Sequence, residues 1–152
     1  MKKIDLGQTI TILANIGVIA GIIFLAFELR QTRITLRDSS HLSSVQLSHD
    51  LAGRLWEPGF ALTYQAGLGD LSSLSPEQRS QFEAYVWQRL NLWEYAFYSH
   101  QRGAMDEEIW IGWDTNFLEE LRTEAWREVW EPVRHVYGAS FSEHVAAKIA
   151  GQ

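Results

Sequence analysis

LGQTITILANIGVIAGIIFLAF, residues Leu6 to Phe27, decides how the rest of the chain is read. It holds 22 consecutive residues without a charge, closed by Asp5 and Glu28. As an α-helix it would be about 33 Å long at ~1.5 Å per residue, enough to cross a hydrocarbon core of about 30 Å. In a bilayer such a segment has to be helical, because no water is present to satisfy its backbone groups. A secretory signal has a shorter apolar core and a small-residue cleavage site. The run here is longer, and Glu28-Leu29-Arg30-Gln31-Thr32-Arg33 follows it with nothing cleavable. A buried core helix usually shows only about 10–14 uninterrupted apolar residues. The expectation is one membrane-spanning helix.

Working outward, residues 1–37 read as an anchor with a basic exit and residues 38–152 as a helical body. The chain's 152 residues suit one such body, large enough for a modest core. Zero cysteines exclude disulfides, thiolate zinc sites, iron–sulfur clusters and thiol chemistry. Residues 1–49 carry five basic and three acidic side chains, a net of +2, while residues 50–152 carry 8 basic and 16 acidic, a net of −8. An acidic body repels phosphate backbones, which argues against nucleic-acid binding. Arg30, Arg33 and Arg37 would instead suit anionic lipid headgroups. Set against Lys2, Lys3 and the terminal amine, these three arginines lean the body toward the cytoplasm.

From Glu28 to Trp56 there is no proline and only Gly53, so the anchor helix is expected to continue as a polar, serine-rich rod. A break near Asp38-Ser39-Ser40 is the alternative. Pro58 opens a short segment with Phe60, Leu62 and Tyr64, and Gly67-Leu68-Gly69-Asp70 reads as a turn. Ser75-Pro76-Glu77-Gln78 is the clearest start signal, a capping box with proline in the first helical position. The helix it opens is predicted to run to about Arg102, closed by Gly103. Within it Phe82, Val86, Leu90, Trp93 and Phe97 form one apolar stripe, and Trp87, Asn91, Glu94 and Tyr98 a second face. Asp106 is expected to cap a helix carrying Ile109, Trp110, Trp113, Phe117, Leu118 and Leu121. Another carries Trp126, Val129 and Trp130, kinked or interrupted by Pro132. Ser140 and Glu143 suggest a capping box for a terminal helix. No segment alternates with period two, so the fold class is all-α: one N-terminal transmembrane helix, extended past the membrane, then a small helical bundle.

Leu74-Ser-Pro-Glu-Gln-Arg79 and Gly103-Ala-Met-Asp-Glu-Glu-Ile-Trp-Ile-Gly-Trp113, with the Glu28–Arg33 exit, resemble a family of small uncharacterised bacterial membrane proteins. Its members share an N-terminal span, a similar Gln/Arg exit, an S-P-E helix start and a G-x-x-D-E-E-x-W-x-x-W block. The resemblance implies a single-pass helical protein of the bacterial inner membrane and carries over no catalytic residue.

Chemistry is hard to place. No glutamate has histidine three residues on, as di-iron bundles require, and phosphate-loop, dinucleotide and nucleophile-elbow motifs are absent. His41, His49 and Asp50 have a spacing that could meet a metal, though two histidines on a polar surface explain it as well. Glu131 and His135 flank Pro132 and read as a surface pair; His144 beside Glu143 reads as part of the cap. No cofactor and no enzyme activity are expected. The tryptophans suit either a core and interface or an aromatic cage, and Trp87, Trp93, Trp110, Trp113, Trp126 and Trp130 are assigned to the former.

The anchor is more specific. Gly7, Ala14, Gly17, Gly21 and Glu28 fall within roughly 80° of a helical wheel, and small residues let helices approach closely in lipid. Gln8, Thr11 and Asn15 form a separate polar strip. The expected function is a membrane-anchored assembly or accessory protein, acting as a homo-oligomer or packing against a larger inner-membrane complex. The alternative is a homo-oligomeric pore with Asn15 inside and Glu28 and Arg30 at its mouth.

Overall fold

The computed structural model describes residues 6–151, and every described element is helical. The first helix, α1, runs unbroken over Leu6–Arg54, 49 residues without the expected alternative break at Asp38–Ser40. By its contacts the chain divides into two compact units between Asp38 and Ser39, so α1 contributes to both. Lys2, Lys3 and Asp5 lie outside the described residues.

The second unit holds the end of α1 and five further helices: α2 (Pro58–Gly69), α3 (Pro76–Gln101), α4 (Glu107–Leu121), α5 (Glu124–Val133) and α6 (Ala139–Ala150). Short 3-10 turns cover Leu71–Ser73 and Arg134–Val136. Local chemistry sets most of these ends. At the start of α3, Gln78 N–H donates to Ser75 Oγ at 3.2 Å and Ser75 N–H to Gln78 Oε1 at 3.0 Å, the reciprocal box foreseen from sequence. Its far end closes on Gly103, whose φ of +69° is costly for any residue with a Cβ. Gly103 N–H reaches His100 O and Ala104 N–H reaches Ser99 O, both at 2.8 Å, which is the Schellman pairing.

Two caps differ from expectation. Asp106 occupies the N-cap of α4 but makes no side-chain cap hydrogen bond. Ser140 lies inside α6, which begins at Ala139 behind Gly138, so the Ser140–Glu143 box does not form. Gly138 is held from a distance instead: its N–H donates to Glu94 Oε1 at 2.7 Å, and it lies so close to the Tyr98 hydroxyl that a Cβ would collide with it. Pro132 falls in the last turn of α5, where it removes the N–H that would bond Glu128 O, so at most one turn of helix is affected, and the chain then tightens into the 3-10 turn.

α3 is the centre of this unit and packs against α2, α4, α5 and α6. The stripe Phe82, Val86, Leu90, Trp93 and Phe97 is buried as expected. The second buried line is Tyr85, Arg89, Leu92, Ala96 and Ser99, not the Trp87 face. Together the two lines cover roughly half of the helix circumference at 100° per residue. α4 runs back along α3 as an αα-hairpin. Arg89 pairs with Glu120, Trp93 with Asp114, Phe97 with Trp110 and His100 with Glu107, so each step forward on α3 meets a step back on α4.

Candidate functional site

The surface most in need of a function is the apolar stretch of α1. Twelve large apolar side chains from Ile10 to Leu29 are each 52% to 66% exposed. This helix is long and apolar enough to cross a membrane, and its apolar window is 0% buried within the chain. Gly17 and Gly21 stand open, since a Cβ built on either meets nothing within 4 Å. Gly7 and Ala14 are likewise exposed on α1.

Because the helix is continuous, its phase can be followed from one end of the anchor to the other. Gly7, Ala14, Gly17, Gly21 and Glu28 share one side, while Arg30 falls roughly 160° away from Glu28. Asn15 lies about 60° from Arg30 and far from the small residues, again at 100° per residue. Glu28 and Arg30, foreseen together at a pore mouth, therefore point in opposite directions. Thr11, foreseen as a polar contact, donates its hydroxyl to Gly7 O at 3.0 Å within its own helix. The side chain of Gln8 lies outside the described residues.

The second unit hides a charged knot that no motif announced. Asp114, only 4% exposed, receives Trp93 Nε1–H at 3.0 Å on Oδ1. His144 Nε2 lies 2.7 Å from the same oxygen, and Lys148 Nζ lies 2.9 Å from Oδ2. Burial alone would raise the Asp114 pKa, but the His144 and Lys148 hydrogen bonds, the His144 charge and Trp93 together hold it below the usual carboxylate value. The His144 ring is enclosed by Phe97, Trp110 and Trp93, with centroids 5.0, 5.6 and 6.4 Å away. His144 thus faces inward and joins α6 to α3 and α4, the structural role expected of it, though through Asp114 and not through a cap beside Glu143.

One turn along the hairpin, Arg89 reaches Glu120 with Nη2 at 2.7 Å and Nε at 3.3 Å, its guanidinium 4.6 Å above the Phe117 ring. Burial raises the Glu120 pKa and Arg89 offsets part of that. Nearby, Trp126 Nε1–H donates to the Tyr64 hydroxyl at 3.3 Å. Burial, opposed by that hydrogen bond, pushes Tyr64 up to about 12. With every oxygen of Asp114 and Glu120 engaged by donors, these groups brace helices against each other.

The tryptophans sort by position. Trp93, Trp110, Trp126 and Trp130 are buried and Trp113 is half-buried, while Trp87 is 46% and Trp56 85% exposed. Trp93 stacks on Phe117 at 5.4 Å and meets Phe141 edge-on at 5.3 Å. Among the described residues no cluster of three His, Cys, Asp or Glu side chains could hold a metal, so His41, His49 and Asp50 do not converge. His49 borders a cleft of about 440 Å³ with Arg89, Trp113 and Asn116, and Glu131 and His135 border a groove of about 570 Å³ beside α6.

These features define a class: one long apolar N-terminal helix ahead of an all-helical, tryptophan-rich body. No family model, curated protein or solved structure matches the chain.

Proposed function

We infer that the chain is a single-pass membrane protein of the bacterial inner membrane, with a helical body that acts through assembly. It forms a homo-oligomer or packs as an accessory subunit against a larger membrane complex. The observation that carries this reading is the uncovered apolar length of α1. Burying one large apolar side chain is worth about 1.5–3 kcal/mol, and twelve of them here are more than half exposed. Leaving them in water would cost on the order of 10 kcal/mol, as much as a whole domain's stability. A bilayer removes that cost, and the backbone of a continuous helix needs no water.

The small-residue side, Gly7, Ala14, Gly17 and Gly21, is where a second span would pack, since lipid supplies no hydrophobic drive and association rests on the van der Waals contact that close backbone approach allows. The three exit arginines favour a cytoplasmic body. The test is membrane fractionation followed by gentle detergent extraction and native mass spectrometry. The chain should resist carbonate washing and emerge as a homo-oligomer or with unlike chains. Recovery in the soluble fraction would overturn the anchor; a strict monomer without company would overturn assembly. A closed ring that conducts ions after reconstitution would favour the pore instead.

A further inference from the structure

Opposite its small residues, α1 carries a second continuous line that no motif describes. Taking Arg30 as the reference at 100° per residue, Ile12, Ile16, Ile19 and Ile23 all fall within roughly 40° of it. Arg33 and Arg37 fall within roughly 60° of it on the other side of the exit. The helix therefore bears an isoleucine ridge about 16 Å long, followed about two turns further on by an arginine stripe about 10 Å long, at ~1.5 Å per residue. All seven side chains are exposed. The acids keep off this line: Glu28 is roughly 160° round the helix and Asp38 roughly 80°.

We propose that this face of α1 binds an anionic phospholipid, acyl chains along Ile12–Ile23 and phosphate against Arg30 and Arg33. The inference rests on the membrane reading above and adds a ligand to it. Depth and chemistry both fit. Arg30 lies about 4.5 Å and Arg33 about 9 Å beyond Phe27 along the axis, the level of a headgroup layer some 5–8 Å thick once the side chains reach back. Guanidinium groups pair with phosphate oxygens through two parallel donors, which an isolated ammonium cannot do. Two arginines on one side add their attraction at one headgroup, within a Debye length of about 8 Å. A zwitterionic lipid presents the same phosphate but cancels the attraction with its own cation, so the site prefers net-negative lipids. The ridge lies opposite the small-residue side, so it remains open to lipid when two anchors cross at their glycines.

The full chain is reconstituted into nanodiscs of phosphatidylcholine alone and of phosphatidylcholine mixed with phosphatidylglycerol. Native mass spectrometry then counts the lipids retained as the disc is stripped away. Retained phosphatidylglycerol should exceed its share of the mixture several-fold, and added inorganic phosphate should not displace it. The decisive variant exchanges Arg30 with Thr32 and Arg33 with Thr35, which keeps composition and charge but turns the stripe to the Glu28 side. Enrichment should fall by up to about fivefold per arginine moved. Equal enrichment in parent and variant overturns the proposal, because charge would then act without position. Enrichment abolished by inorganic phosphate overturns it also, leaving only a phosphate site. Failure to enter phosphatidylcholine discs removes the span and the lipid site with it, whereas entry without lipid preference removes the lipid site alone.

Discussion

Trp93→Ala should be the most damaging single truncation in the body. The indole is fully buried, stacked on Phe117 at 5.4 Å, edge-on to Phe141 at 5.3 Å and bonded to Asp114 at 3.0 Å. Truncating a buried Trp costs about 3–5 kcal/mol in lost transfer energy and cavity. Asp114 keeps His144 and Lys148, so the lost donor is partly covered and the upper end of that range is the ceiling. For a body of about a hundred residues, ~4 °C per kcal/mol converts this to a melting shift of about 12–20 °C. Trp87→Ala on the same helix truncates a side chain that is 46% exposed and should move melting by no more than about 4 °C. Trp93→Phe keeps most of the ring and loses the N–H, which places it between the two, near 1–2 kcal/mol. The assay is thermal melting of the full chain in detergent followed by near-ultraviolet circular dichroism, which reports tryptophan packing and is blind to the tryptophan-free apolar stretch of α1. Equal shifts for Trp93→Ala and Trp87→Ala would refute the placement of the core.

Gly67→Ala should destabilise the body by about 1–3 kcal/mol, since its Cβ would sit 2.6 Å from Phe82 Cδ2. Gly112→Ala, mid-helix with nothing within 4 Å of a Cβ, should stabilise it by about 0.5–1 kcal/mol; chemical denaturation distinguishes the two signs. The lowered Asp114 pKa means that its contribution is present above the ordinary carboxylate value and lost as pH falls through the lowered one. Asp114→Asn should therefore flatten the acid limb of a melting-versus-pH curve. The raised Glu120 pKa acts with the opposite sign, so Glu120→Gln should steepen that limb; the reverse ordering would count against both networks. A Cβ at Gly17 or Gly21 meets nothing within 4 Å, so a loss of self-association by Gly17→Leu or Gly21→Leu in a membrane reporter carrying residues 1–37 reports on a second helix. Ile19→Leu, on the opposite side of α1, should leave association intact, and unchanged association in both glycine variants would assign assembly to the body.

Much of the local architecture was legible because its causes are local. The Ser75–Gln78 box, Pro76, the Gly103 stop and the spacing of Phe82, Val86, Leu90, Trp93 and Phe97 act within a turn or along one helix face. The Asp114 knot was missed although a signal existed. Asp114 stands in the buried stripe Trp110, Asp114, Phe117, Leu121, spaced four, three and four, and a charge in such a stripe must find partners when buried. Which partners could not be read. His144 and Lys148 lie 30 and 34 residues downstream, and only the packing of α6 brings them in.

The sequence by itself determined that the chain is all-helical, that its first helix is apolar enough to span a bilayer, and where α3 starts and stops. Propensity, periodicity and capping all depend on neighbours a few residues apart. Only the tertiary structure decided which of seven tryptophans are core, since Trp87 and Trp93 are chemically alike and differ only in which side of α3 is covered. It alone joined Arg89 to Glu120 and Asp114 to His144, and fixed Gly138 rather than Ser140 at the head of α6 through Glu94, 44 residues away. Those outcomes depend on how whole helices cross, a long-range balance of burial and polar satisfaction that no local pattern encodes.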